Sequence, residues 1–167
     1  YVDRTSNNEM HQIRARELAL RRCLESIDDY DFCLIDTPPS TGLLTENALC
    51  AANELLIPTA PTYYALEGTF GLLNMTEGIS RDLGHKVELL GVFLNHYDPR
   101  NRISSEIELQ LRDFFGSKLA RTAVRVNTKL NEAQMRHLPI FQDAPRSRGA
   151  QDYAALAKEL FGVKVPT

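Results

Sequence analysis

The segment Tyr30-Asp-Phe-Cys-Leu-Ile-Asp-Thr-Pro-Pro-Ser40 constrains this chain more than any other. Phe32 to Ile35 is an apolar run without polar alternation, the pattern of a strand covered on both faces inside a parallel α/β sheet. It stops on Asp36, where open α/β sheets place their ligand crevice. Thr37-Pro38-Pro39-Ser40 continues neither strand nor helix, because proline fixes φ and removes a backbone donor. The expectation is a buried strand that delivers a carboxylate to a loop of restricted shape.

The rest of the chain repeats an alternating pattern. Met10, Ile13, Leu20, Leu24 and Ile27 fall mostly on one helical face after the capping-box string Ser6-Asn-Asn-Glu9. Leu43 to Ala52 reads as a short helix, and Glu54 to Thr59 as a second buried strand stopped by Pro58 and Pro61. Leu66, Phe70, Leu73 and Ile79 recur at helical spacing between Ala65 and Leu83, ahead of Gly84. Val87 to Asn95 is a third strand. A capping box at Ser105 to Glu108 opens a helix with a stripe of Ile107, Leu111, Phe114 and Phe115. Thr122 to Val126 is a fourth strand, followed by a polar stretch from Asn127 to Ala133. A last helix runs from Ser147 or Arg148 to Phe161 and buries Ala150, Tyr153, Ala154, Ala157, Leu160 and Phe161 before Gly162. This order predicts a mostly parallel sheet with flanking helices.

At 167 residues, 43% of them hydrophobic, the chain suits one core. A net charge of −3 confines any nucleic-acid contact to a local basic patch. Cys23, Cys33 and Cys50 lack CxxC spacing, which argues against a disulfide framework or zinc site and for a reducing cytosol. His11, His85, His96 and His137 show no metal-ligand spacing. No apolar run reaches the length of a membrane span, so a soluble chain is expected.

The longer string Ile35-Asp-Thr-Pro-Pro-Ser-Thr-Gly-Leu-Leu-Thr-Glu-Asn-Ala-Leu49 resembles the Walker B and switch II segment of ParA-type partition ATPases, in the deviant-Walker P-loop group that also contains MinD. The likeness continues through Leu56-Ile-Pro-Thr-Ala-Pro61, Tyr64-Ala-Leu-Glu-Gly68, Leu90-Gly-Val-Phe-Leu-Asn-His-Tyr-Asp-Pro-Arg100, Leu130-Asn-Glu-Ala133 and Ser147-Arg-Gly-Ala150. It implies a P-loop NTPase fold and a cycle: ATP and Mg²⁺ promote a homodimer, the dimer binds DNA without sequence preference, and a ParB-like centromere-binding partner stimulates hydrolysis. Chromosome or plasmid partitioning in the cytoplasm, on the nucleoid, is the implied role, without a membrane partner.

Residue by residue, the resemblance implies that Asp36 holds a Mg²⁺-bound water, with Thr37 and Pro38 in switch II. Asn95 falls near the adenine base. Arg125-Val126-Asn127 stands where the family has Pro-Arg-Asn, which leaves Asn127 a poorer match for the base-side loop. Arg100 and Lys129 occupy the family's DNA-binding positions, and Arg102 and Arg125 join them by charge alone. Glu67 and Gly68 begin a helix near the family's dimer face.

No Gly-x-x-x-x-Gly-Lys-Ser/Thr string occurs in the 167 residues. The chain opens at Tyr1 rather than methionine, in mid-pattern, so it is expected to be the C-terminal portion of a single ATPase domain whose P-loop strand lies upstream. Alone it is expected to be inactive, and to expose an apolar sheet edge that lowers stability or drives self-association. Two alternatives remain: a MinD-like membrane-cycling ATPase, disfavoured by the tail Gly162-Val-Lys-Val-Pro-Thr167, and a binding module without a P-loop or enzymatic activity.

Overall fold

Two strands, β1 (Glu54–Thr59) and β2 (Glu88–Leu94), pair in parallel in the computed structural model, which describes residues 16–38 and 40–163. The Glu88 N–H donates to Asn53 O at one end of the pairing, and the Asn95 N–H donates to Thr59 O at the other, both at 2.9 Å. The fold is the α/β arrangement the sequence predicts, a parallel sheet with flanking helices. Helix α1 spans Ala19–Leu24, α2 Leu43–Ala51, and α3 Tyr63–Leu83, the crossover between the strands. After β2 come α4 (Arg102–Phe115), a 3₁₀ turn at Gly116–Lys118, α5 (Thr128–Met135), α6 (Ile140–Asp143) and α7 (Arg148–Phe161). The described residues divide into two compact units, one within Tyr1–Leu55 and Phe70–Glu88, the other within Leu56–Thr69 and Leu89–Thr167.

The first unit closes around Leu49, Cys50 and Ile79, with Leu18, Leu55, Leu72, Met75, Leu83 and Val87 packed against them. The buried stripe of α3 in this unit is set by Leu72, Met75, Ile79 and Leu83; Phe70, expected inside, is 37% exposed. Buried Asn47 ties α1 to α2: its Oδ1 accepts from the Leu20 N–H at 3.3 Å and its Nδ2 donates to Leu43 O at 2.9 Å. A His85 ring nitrogen reaches Ala52 O at 2.9 Å. Burial, helped by Glu17 and Glu46, pushes the Cys50 thiol up. All three cysteines are free.

The apolar run at Phe32–Ile35 does not form the expected buried strand. Residues 32–38 carry no regular secondary structure, Phe32 is 58% exposed and Leu34 85%, and Cys33 is exposed as well. A strand exists through its ladder, and these residues are not part of the sheet formed by β1 and β2. The first helix ends at Leu24, which leaves Ile27 exposed, while Met10, Ile13 and the Ser6–Glu9 box lie outside the described residues.

The second unit buries Phe93, Ala120, Val124 and Leu156 against Leu56, Leu130, Tyr153 and Leu160. Beside β2 a further segment keeps the parallel order through isolated bridges, Val92 with Leu119 and Tyr97 with Arg125. The fourth strand expected at Thr122–Val126 is not formed as a continuous ladder. Its donors are divided: the Val124 N–H meets Leu94 O at 2.8 Å and the Val126 N–H meets Tyr97 O at 3.1 Å, while carboxylates of α7 take others, Glu159 accepting from the Arg121 N–H at 2.7 Å and the Thr122 N–H at 2.9 Å, and Asp152 from the Arg125 N–H at 3.1 Å. A segment that shares its N–H groups between a neighbouring backbone and side chains satisfies its polar backbone with isolated bridges in place of a full ladder.

Helix α4 starts earlier than its predicted capping box. Asn101 is the cap, accepting from the Ile103 N–H at 3.0 Å, so Ser105 lies inside the helix. Ile107, Leu111 and Phe115 are buried as expected, whereas Phe114 is 62% exposed. Helix α7 is capped by Ser147, accepting from the Ala150 N–H at 3.2 Å, and closed by Gly162 at φ 67°. Its first turn seats closely on α5: a Cβ on Gly149 would lie 2.8 Å from Leu130 Cγ.

Candidate functional site

In the first unit Asp36 is exposed in the loop that leads to α2, as are Thr37 and Pro38; Pro39 lies outside the described residues. The end of this loop is fixed. Thr45, 3% exposed in the first turn of α2, donates its hydroxyl proton to Ser40 O, and the Ser40 N–H donates to Pro38 O at 2.7 Å. Thr45 was not a predicted site residue. Its position three residues after Gly42, the helix N-cap, is the signal that it reaches back to the loop. An exposed carboxylate beside a fixed loop suits Mg²⁺, which takes hard oxygen ligands and keeps several waters.

The second unit holds the remaining predicted residues. Tyr97 is threaded between two backbone groups of the neighbouring segment: its N–H donates to Val124 O and its carbonyl accepts from the Val126 N–H, both at 3.1 Å. The loop that continues through Arg100 and Arg102 and the segment that continues through Asn127 and Lys129 therefore leave from paired backbone. A hydrogen bond to the Glu108 carboxylate, with burial second, raises the Tyr97 phenol above its ordinary value. That bond fastens the loop base to α4.

Both asparagines use their carbonyl oxygens internally. Asn95 Oδ1 accepts from the His96 N–H at 3.0 Å, which supports His96 at φ 55°, and Asn127 Oδ1 caps α5 by accepting from the Lys129 N–H at 2.9 Å. Each leaves its Nδ2 donor as the group to meet a ligand acceptor, such as a purine ring nitrogen.

Every predicted DNA-binding cation stands beside a carboxylate. Arg100 is fastened to Asp98, Arg102 Nε lies 2.9 Å from Glu106, and Lys129 Nζ lies 2.7 Å from Glu132. Arg125 differs in kind. Its guanidinium holds Asp152, which is 6% exposed, so this pair is part of the fold of the second unit. The three others are surface pairs of small net energy, open to exchange with another anion. Asp98, Asp152 and Tyr97 went unrecognised in the sequence. The Asp-Pro-Arg spacing and an acid on the inward face of α7 are the signals that identify the first two.

A family model described as an AAA domain matches residues 4–89. Over 146 residues the chain is 40% identical to the chromosome-partitioning ATPase Soj of Treponema pallidum, and over 147 residues 40% identical to the sporulation initiation inhibitor protein Soj of Bacillus subtilis. Each alignment covers 87% of this chain and 58% of the relative, so the chain spans less than two thirds of the length of these curated proteins. Among solved structures, cobyrinic acid a,c-diamide synthase from Mycobacterium smegmatis, with bound ATP analogue and magnesium, superposes at a TM-score of 0.68 with 28% identity, covering 99% of this chain and 64% of that one. An ATP complex of a Cyanothece McdA variant reaches 0.78 at 15% identity over 98% and 64%, a likeness of fold.

Proposed function

The chain belongs to the AAA-domain family of ParA-type partition ATPases, and on that premise we propose that it forms the metal-side and base-side portion of an ATPase that moves chromosomes or plasmids. What carries the reading is the continuous likeness to the Soj proteins, which includes the string from Ile35 through Leu49 and the loop Asn95 to Arg100.

Asp36 would hold a Mg²⁺-bound water, and its exposure at the start of a loop anchored by Thr45 supports that role. When bound there, Mg²⁺ would neutralise charge on the triphosphate. Thr37 and Pro38 form the segment whose few conformations a bound nucleotide selects. Asn95 and Asn127 offer Nδ2 donors on the base side. The triphosphate cradle is not encoded in these 167 residues, so in the working ATPase it comes from other residues.

Arg100, Arg102 and Lys129 form the DNA face, with nucleotide binding setting the dimer that presents it and a ParB-like partner stimulating hydrolysis. Arg125, committed to Asp152, adds little to this face. No helix among the described residues is long and apolar enough to cross a membrane, and a cytoplasmic, nucleoid-bound protein fits the reading. In the full-length ATPase, Arg100→Glu is expected to weaken binding of the ATP-loaded protein to random-sequence duplex DNA and to reduce the salt dependence of the affinity, with nucleotide affinity retained. Unchanged DNA affinity would remove this face from the account.

A further inference from the structure

Among the four predicted DNA-binding cations, Arg100 and Arg125 are each held by one carboxylate through three bonds, but only Arg100 has an exposed partner: the Asp98 side chain is 32% exposed, that of Asp152 7%. Asp98 Oδ1 accepts from both the Arg100 backbone N–H and Nε, each at 3.0 Å, and Asp98 Oδ2 accepts from Nη2 at 2.9 Å. One carboxylate thus fills the Nε and Nη2 fork, the part of a guanidinium that grips two phosphate oxygens at once. The turn that makes this possible is short and stiff. Pro99 lies between the two residues, the Asn101 N–H donates to Asp98 O at 3.1 Å, and Tyr97 is pinned on the other side by Val124 and Val126.

We propose that Asp98 is a charge clamp on Arg100, a residue that sets the affinity of the DNA face by requiring a phosphate backbone to displace it from the guanidinium fork. The inference rests on the DNA-binding reading above and specifies how that face is regulated. Exposure makes displacement practicable: the Arg100 side chain is 88% exposed and that of Asp98 32%, so the pair is a weak surface contact that a polyanion can open. A lone phosphate offers one competing contact. A duplex offers many at once, including those to Arg102 and Lys129, and so supplies the free energy to open the clamp. The clamp therefore favours extended nucleic acid over free phosphate.

Fluorescence anisotropy of the ATP-loaded full-length ATPase on a random-sequence duplex, at several salt concentrations, tests this. Asp98→Asn keeps an oxygen for the backbone N–H and removes the charge; Asp98→Ser does the same with a shorter side chain and guards against a folding defect in the first. Both are expected to bind several-fold tighter than wild type, with a salt slope steeper by up to about one unit as Arg100 gains a full phosphate contact. In an Arg100→Ala background the gain is expected to disappear. Equal or weaker binding by both variants overturns the clamp, as does a gain that survives Arg100→Ala and therefore reflects overall charge. These outcomes leave the DNA face standing if Arg100→Glu still weakens binding. An Arg100→Glu protein with wild-type DNA affinity overturns the face and the clamp together.

Discussion

Asp152, on the inward side of α7, accepts hydrogen bonds from the Arg125 backbone N–H at 3.1 Å and from Arg125 Nε at 3.0 Å, so a single carboxylate satisfies both main chain and side chain of the segment beside β2. The partners are unequally buried, with side chains 40% exposed for Arg125 and 7% for Asp152. Removing the cation leaves a carboxylate charge in a dry position; removing the acid leaves a guanidinium that water still reaches. Arg125→Ala is therefore expected to destabilise by about 3 kcal/mol, and Asp152→Ala by about 1.5–2 kcal/mol. Urea denaturation of the two variants checks the order, and a costlier Asp152→Ala would contradict it.

Glu159 gives the fold a pH dependence. Burial alone would raise its carboxyl, but hydrogen bonds from the Thr122 side chain and the Arg121 and Thr122 N–H groups, with the nearby Arg121 charge, outweigh burial and hold it below the usual range. A depressed folded value means that the stabilisation is fully present above the ordinary glutamate pKa of about 4.3 and is lost as pH falls through the lower folded value. Glu159→Gln is expected to cost about 1–2 kcal/mol at pH 7 and to converge on wild type in acid. A pH series of melts that shows a constant difference would rule this out.

Leu34, 85% exposed, places a large apolar side chain at the surface of a segment without regular secondary structure. Such a segment recruits another chain. The 167-residue chain is expected to self-associate in sedimentation velocity runs at micromolar concentration, and Leu34→Lys to reduce that association. A monomeric wild-type chain with one cooperative melt would contradict the expectation.

The sequence pattern located β1, α3, β2 and α7 within a few residues because each is a long periodic or apolar segment whose partners lie among the described residues. It misplaced Phe32–Ile35 and Thr122–Val126 for different reasons. The first needs a neighbour to become a strand, and hydrophobicity alone does not supply one. The second pairs only in part, through Val124 and Val126, and turns other N–H groups to carboxylates 27 to 38 residues away in sequence, a separation no local pattern registers. The start of α4 was misread because two capping signals overlap, and Asn101 wins by making the bond to Ile103. At the candidate site Asp36, Arg100 and Lys129 are proposed through the family likeness alone, while their neighbours Thr45, Asp98 and Glu132 emerge from the geometry.

The account depends most on Asp36 as the carboxylate beside the metal. In the full-length ATPase, Mg²⁺-dependent ATP turnover is to be compared between wild type and Asp36→Ala, with nucleotide binding followed in parallel. The prediction is that the variant loses hydrolysis to the background level. Turnover by Asp36→Ala at the wild-type rate would contradict the account.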